Sequence, residues 1–268
     1  MDSILTSPHH DSWDDVTRET VTHVQSLIRI NTANPPGNEM AAARYLDTVL
    51  RADGIETWLD EPAPGRAALV ARIRGDGSHR PLLLLAHMDV VGVESEKWTV
   101  PPFGGDIRDG YVYGRGAIDD KGMLAANLTT IMELSALVKE RGKLLERDVV
   151  FVATSDEEAG GDWGMGWIIA HHPELVDAEF ALNEGGRTRI VGGGRTYLAV
   201  QSAEKVSHVV TVTANGPAGH AAVPLADNAI FRLSRAIAKM ADHLEPIKLT
   251  AITRRFFGDL AAVWPEPA

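Results

Sequence analysis

The chain contains no cysteine. Disulfides and thiolate metal sites are therefore both excluded. It also lacks a basic balance, with 26 Lys and Arg against 37 Asp and Glu and a formal net charge of -11. Phosphate backbones are bound by basic faces, so a nucleic-acid partner is not expected. No apolar run approaches the length that spans a membrane. The opening stretch, MDSILTSPHHDSWDDV, is polar and acidic and has no basic-then-apolar signal order. There is no internal repeat and no low-complexity tract. These absences lead to the expectation of a cytoplasmic protein with no membrane and no nucleic-acid partner. An acidic chain can still hold divalent cations, whose ligands are carboxylates.

What is present is the composition of a globular protein, 44% hydrophobic and 24% charged over 268 residues. That length suits one large domain or two smaller ones. Apolar residues recur at Val16, Val21, Val24, Leu27 and Ile28 and predict a helix from Asp14 to Ile30. NTANPPGNE breaks it, and a second helix runs from Glu39 to Ala52, with Gly54 as its stop. IETWL, AALVARI and PLLLLA read as strands, the last apolar on both faces like a covered central strand. A long Gly- and Pro-rich segment, 89–120, follows, and loops of that length are usually functional. A helix from Gly122 to Lys139, the strand DVVFVAT, a short helix at 163–170 and the strand AEFALNE complete an alternating pattern. Strand–helix–strand alternation predicts an α/β fold, a mainly parallel sheet flanked by helices. This first domain is placed at 1–190. From 191 to 268 the texture changes: VGGGRTYLAV reads as a linker, AEKVSHVVTVTANG as a half-exposed strand and Asn228 to His243 as an amphipathic helix. This is the expected start of a second, α+β domain.

Three of the strand-like runs end in the same chemistry. LLLLA ends at His87 and Asp89, VVFVAT at Asp156, Glu157 and Glu158, and EFALN at Glu184. A fourth acidic pair, Asp119 and Asp120, precedes a helix. Ligands of open α/β sheets bind beyond the carboxyl ends of the strands, so these clusters converge on one edge. One imidazole with several carboxylates is a donor set for Zn²⁺, Co²⁺ or Mn²⁺. Packing so many carboxylates together without cations would raise their pKa values and cost stability. Taken singly, each piece has an ordinary reading: a loop pair, a solvated acidic turn, an N-capping Asp. Their joint occurrence at several strand ends is what favours a metal site. GRGAIDDKG and VGGG both fail the dinucleotide fingerprint, which disfavours a nucleotide enzyme. His9, His10, His171, His172, His208 and His243 are read as surface or packing residues.

The ordered set NTANPPGNE, AHMDVV, WTVPPFGG, YVYGRGAIDDKG, TSDEEAGG, LNEGG and GPAGHAAVP resembles a known family. It is similar to the dinuclear-zinc exopeptidases and amidohydrolases that include aminoacylase, acetylornithine deacetylase, succinyl-diaminopimelate desuccinylase and the carboxypeptidase S and G types. LNEGG looks closest to the carboxypeptidase S-like branch. The resemblance implies hydrolysis of amide bonds in peptides or N-acyl amino acids, with two Zn²⁺ per site and Co²⁺ or Mn²⁺ as substitutes. It implies that His87 and Glu184 bind the first ion, Glu158 the second, and that Asp119 bridges both, with its bond to the next residue typically cis in that family. Asp89 would orient the imidazole, and Glu157 would be the general base. His220 would reach the site of the partner subunit of a homodimer and stabilise the oxyanion. In that family the second domain is a lid and dimerisation domain, and the second ion takes a final histidine after it. Here the only histidine beyond His220 is His243, and the chain stops at Ala268. The expectation is an N-terminal part of a longer enzyme with an incomplete lid. The alternative is a catalytically inactive homologue that serves as a binding or dimerising module.

Overall fold

The computed structural model describes residues 12–191, 194–206, 208–220, 222–223 and 225–264. His9 and His10 lie outside them. The chain divides into two compact units, Met1–Glu184 and Gly185–Ala268.

The first unit opens with α1 (Trp13–Arg29), which Ser12 caps by accepting from the Asp15 N–H. Then come α2 (Glu39–Ala52), β1 (Glu56–Asp60), β2 (Ala68–Ile73) and β3 (Leu82–His87). The predicted irregular segment carries a small hairpin of β4 (Asp106–Arg108) and β5 (Tyr111–Tyr113). Its turn is Asp109–Gly110, both left-handed at φ 51° and 81°, as a two-residue hairpin requires. The unit continues through α3 (Lys121–Arg141), β6 (Val149–Thr154), α4 (Met165–His171), α5 (Pro173–Val176) and β7 (Phe180–Leu182).

Five of these strands form one sheet in the order β1-β2-β6-β3-β7. The sheet is mixed. β1 with β2 and β2 with β6 are antiparallel, whereas β3 lies parallel to both β6 and β7. β6 is buried along its whole length, and its alternate residues feed two cores. Phe151 and Ala153 face a cluster with Leu27, Leu46 and Leu128 from α1, α2 and α3. Val150 and Val152 face the opposite cluster with Leu83 and Ile168 of α4. Apolar residues on both faces are what a sheet between two helical layers demands.

The second unit contains the hairpin β8 (Arg187–Val191) and β9 (Arg195–Ala199), then α6 (Ala229–Ala241) and α7 (Ala251–Val263). Asn228 caps α6 and Thr250 caps α7. The strand expected at 203–216 does not form among the described residues. Alternation alone does not make a strand: the backbone needs a neighbour to complete its ladder, and none pairs with this segment among the described residues. The expected linker at VGGGRTYLAV instead supplies β9.

Candidate metal centre

Parallel pairing of β3, β6 and β7 brings their carboxyl ends to one edge of the sheet. His87 is the last residue of β3 and is held in register opposite Thr154, the last residue of β6. Its ring is buried, and the two nitrogens have different surroundings. Nδ1 lies 2.9 Å from the Asp89 carbonyl oxygen and 3.4 Å from the Asp89 carboxylate. Nε2 points the other way, 3.0 Å from Asp119 Oδ1, 3.9 Å from Glu184 Oε1 and 4.0 Å from Glu157 Oε2. With a cation in place, a proton held on Nδ1 by Asp89 would leave the Nε2 lone pair free to bind it.

Asp119 and Asp120 stand at the amino end of α3, where backbone N–H groups and the helix dipole favour negative charge. The peptide bond between them is cis. Asp120 occupies the cap position but makes no side-chain cap; its Oδ2 accepts from the His87 N–H at 3.4 Å. The N-capping reading of this acidic pair is thereby replaced. The first residue of α3, Lys121, is fully buried and donates to the carbonyls of Leu27 and Ile30 at 2.9 and 2.7 Å. Those are among the orphan acceptors at the end of α1, so one lysine joins the start of α3 to the end of α1.

Beyond β6 the chain turns through Asp156, a non-glycine residue in the left-handed region at φ 70°. A short 3-10 turn, Glu157–Ala159, follows and carries both acidic side chains. The Asp89 carboxylate accepts the Glu157 and Glu158 N–H groups, each at 3.1 Å, so Asp89 anchors this turn as well as the imidazole.

The crowding of carboxylates shows in their proton affinities. Burial pushes the Asp120 carboxyl up to about 7, with Glu184 and Asp119 adding to the shift against the opposing pull of His87. Burial also raises Glu157, helped by Glu184, Asp89 and Asp119. Glu158 rises by burial and then by the charge of Asp119. Burial alone would lower His87, but Asp89, Asp120 and Glu184 outweigh it and lift the imidazole to about 10. The surroundings of the His87 ring thus favour a positive charge at this position. His87, Asp119 and Glu184 offer ligand atoms that all lie within 4.8 Å of one another. One imidazole nitrogen and two carboxylates fit a borderline divalent cation.

Residues 83–257 match peptidase family M20/M25/M40. The chain belongs to that family. Among relatives of this M20 chain, the N-fatty-acyl-amino acid synthase/hydrolase PM20D1 of Xenopus tropicalis is 34% identical over 170 residues, covering 62% of this chain and 32% of that protein. Aminoacylase-1 of Sus scrofa is 31% identical, covering 81% of this chain and 52% of the other. Succinyl-diaminopimelate desuccinylase of a Bradyrhizobium strain is 29% identical, covering 85% and 58%. The chain therefore spans from about a third to under two thirds of these relatives. An M20 family metallo-carboxypeptidase from Sulfolobus solfataricus superposes with a TM-score of 0.54 at 26% identity, over 66% of this chain and 39% of that one. M20 metallopeptidases use metal ions, and among the described residues His87, Asp119 and Glu184 form a candidate group for one.

The first unit brings together ligand atoms of His87, Asp119 and Glu184, with Glu157 4.0 Å from His87 Nε2 and Glu158 held beside them by its backbone bond to Asp89. His220 lies in the second unit, exposed, with its Nδ1 accepting from the Ala222 N–H at 3.1 Å. Sequence reasoning assigned no role to Asn34, Arg66, Asp156 or Lys121. Asn34 sits inside NTANPPGNE and Asp156 inside TSDEEAGG, so both were within sight. Arg66, a single arginine in APGRAALV, carries no signal of its own.

Proposed function

We propose that this site hydrolyses amide bonds of peptides or N-acyl amino acids with two divalent ions, Zn²⁺ first among them. The observation that carries the reading is the convergence of His87 Nε2, Asp119 and Glu184 in a chain of the M20 family. His87 and Glu184 would hold one ion and Glu158 the other, with Asp119 shared between them. Ions in such a site supply a water nucleophile at neutral pH and polarise the scissile carbonyl. Glu157 takes the proton of the attacking water and hands it to the leaving amine. Asp89 keeps the His87 ring and the Glu157 backbone in place. The test is amide hydrolysis with Zn²⁺ or Co²⁺ supplied, and its loss in Glu157→Ala; retained turnover in that variant would sink the assignment.

The same reading extends to a cytoplasmic homodimer in which His220 of one copy stabilises the oxyanion in the other. The second unit supports association, since Ile230, Phe231, Ile237 and Met240 of α6 are all exposed. Mixing inactive Glu157→Ala with inactive His220→Ala restores activity if each copy supplies what the other lacks. Mixtures that stay inactive contradict the shared site.

A further inference from the structure

Behind the site lies a buried polar network that no catalytic role accounts for. Arg66, on the loop before β2, is largely buried and makes three contacts with its planar head. It donates to Glu39 Oε1 at 2.6 Å and to Asn34 Oδ1 at 2.9 Å, and it lies 3.3 Å from Asp156 Oδ1. Asn34 passes the connection on: its Nδ2 donates to Asp89 Oδ2 at 2.8 Å and to Asp156 Oδ1 at 3.3 Å. The other Asp156 oxygen accepts the Trp163 N–H at 3.2 Å. Both carboxylates that shape the Glu157–Glu158 turn are thus tied, directly or through Asn34, to one guanidinium.

The geometry calls for such a support. Asp156 is held in a left-handed conformation that side chains other than glycine seldom adopt, and such residues persist only where their surroundings over-determine them. The loop around Arg66 is equally closed. Gly37 has φ 81°, and a Cβ there would overlap the Arg66 guanidinium. Glu39 is fully buried at the start of α2, so the network spans the Pro-Pro loop, α2, the β2 entry and the ends of β3 and β6.

We propose that Arg66 is a positioning residue: through Asn34, Asp89 and Asp156 it fixes the turn that presents Glu157 and Glu158. The inference rests on the roles given to those two glutamates above. A planar fork is needed because three acceptors on three segments must be met at once, which the single ammonium of a lysine does not do.

Removing Arg66 alone strands the buried Glu39 carboxylate and endangers folding. The test therefore uses the paired variant Arg66→Met/Glu39→Gln, with Asn34→Ala as an uncharged second probe and Arg66→Lys as the conservative variant. Amide hydrogen exchange is read by NMR on the full chain without metal, and Zn²⁺ affinity by calorimetry. The expected result is loss of protection at the Glu157 and Glu158 amides, with the β6 amides still protected. Zn²⁺ affinity should fall by about 10- to 100-fold, the usual effect of losing an outer support of a metal site, and Arg66→Lys should not restore it. Unchanged protection at the two amides, or full rescue by lysine, overturns the inference. A wild-type chain that binds no Zn²⁺ overturns the metal reading instead, and the amide protection then decides the role of Arg66 alone.

Discussion

His87 turns its two nitrogens to different partners. Nδ1 is turned to the Asp89 carbonyl, and Nε2 is left facing Asp119 and Glu184. Glu157 sits at the rim of the same cluster, half exposed, where a water can reach it. Glu157→Gln keeps the shape and removes the carboxylate proposed as the base. It is expected to leave metal affinity close to wild type while kcat falls by about 10²- to 10⁴-fold, measured by calorimetry and by initial rates on one sample. A different kind of histidine, His23, lies in the core of the first unit with Nδ1 2.7 Å from the Tyr45 hydroxyl. Burial pushes its pKa below 6.5, against the weaker upward pull of Glu19 and Asp53. The folded state therefore prefers the neutral ring. That contribution is full above the unfolded pKa of about 6.5 and is lost as pH falls through the lower folded value. Urea unfolding at about pH 7.5 and about pH 5.5 should show a larger acid loss in wild type than in His23→Gln. Equal losses would contradict this account. These two histidines also show what the sequence made legible. His87 closes a leucine strand beside an aspartate and so announces itself, as do Asp119 before a helix and Glu157, Glu158 and Glu184 after strands. Arg66 and Asn34 meet partners far along the chain; Asn34 at least lies inside NTANPPGNE, whereas no local pattern marks Arg66.

At the scale of elements, the site depends on parallel strands ending together. β6 is the central support, and Phe151 is its largest fully buried side chain. Phe151→Ala should cost about 3–5 kcal/mol by removing buried surface and leaving a cavity, read as a drop in the urea midpoint. A cost under about 1 kcal/mol would mean that the sheet is not the packed layer described. The long helices and buried strands were legible because their periodicity runs over many residues: α2 spans Glu39–Ala52 as its pattern predicts. The antiparallel side of the sheet was not, since β1 and β2 look alike in sequence whichever way they pair. The β4–β5 hairpin is too short for periodicity, although Asp109–Gly110 is a turn signal in its own right. Among the described residues the segment 203–216 alternates without a partner strand, so pattern proposes a strand and pairing decides it.

The whole molecule carries a net charge of -11, and a group of its carboxylates is gathered at one sheet edge. Two compact units, Met1–Glu184 and Gly185–Ala268, differ in how their apolar residues are covered. Both hydrophobic cores belong to the first unit, while α6 and α7 keep large apolar side chains exposed. A cation that binds only the folded chain stabilises it by mass action. Zn²⁺ at a hundredfold excess over its dissociation constant should add about 2.7 kcal/mol, and a chelator should remove it. Thermal unfolding with and without the ion checks this, and an unchanged midpoint would count against a preformed site. The most direct measurement is calorimetric Zn²⁺ titration of wild type beside His87→Ala and Glu184→Gln. The account predicts binding to wild type and a large loss of affinity in both variants. Wild-type affinity in both variants, or no binding to the wild-type chain, would contradict a metal centre built on His87, Asp119 and Glu184.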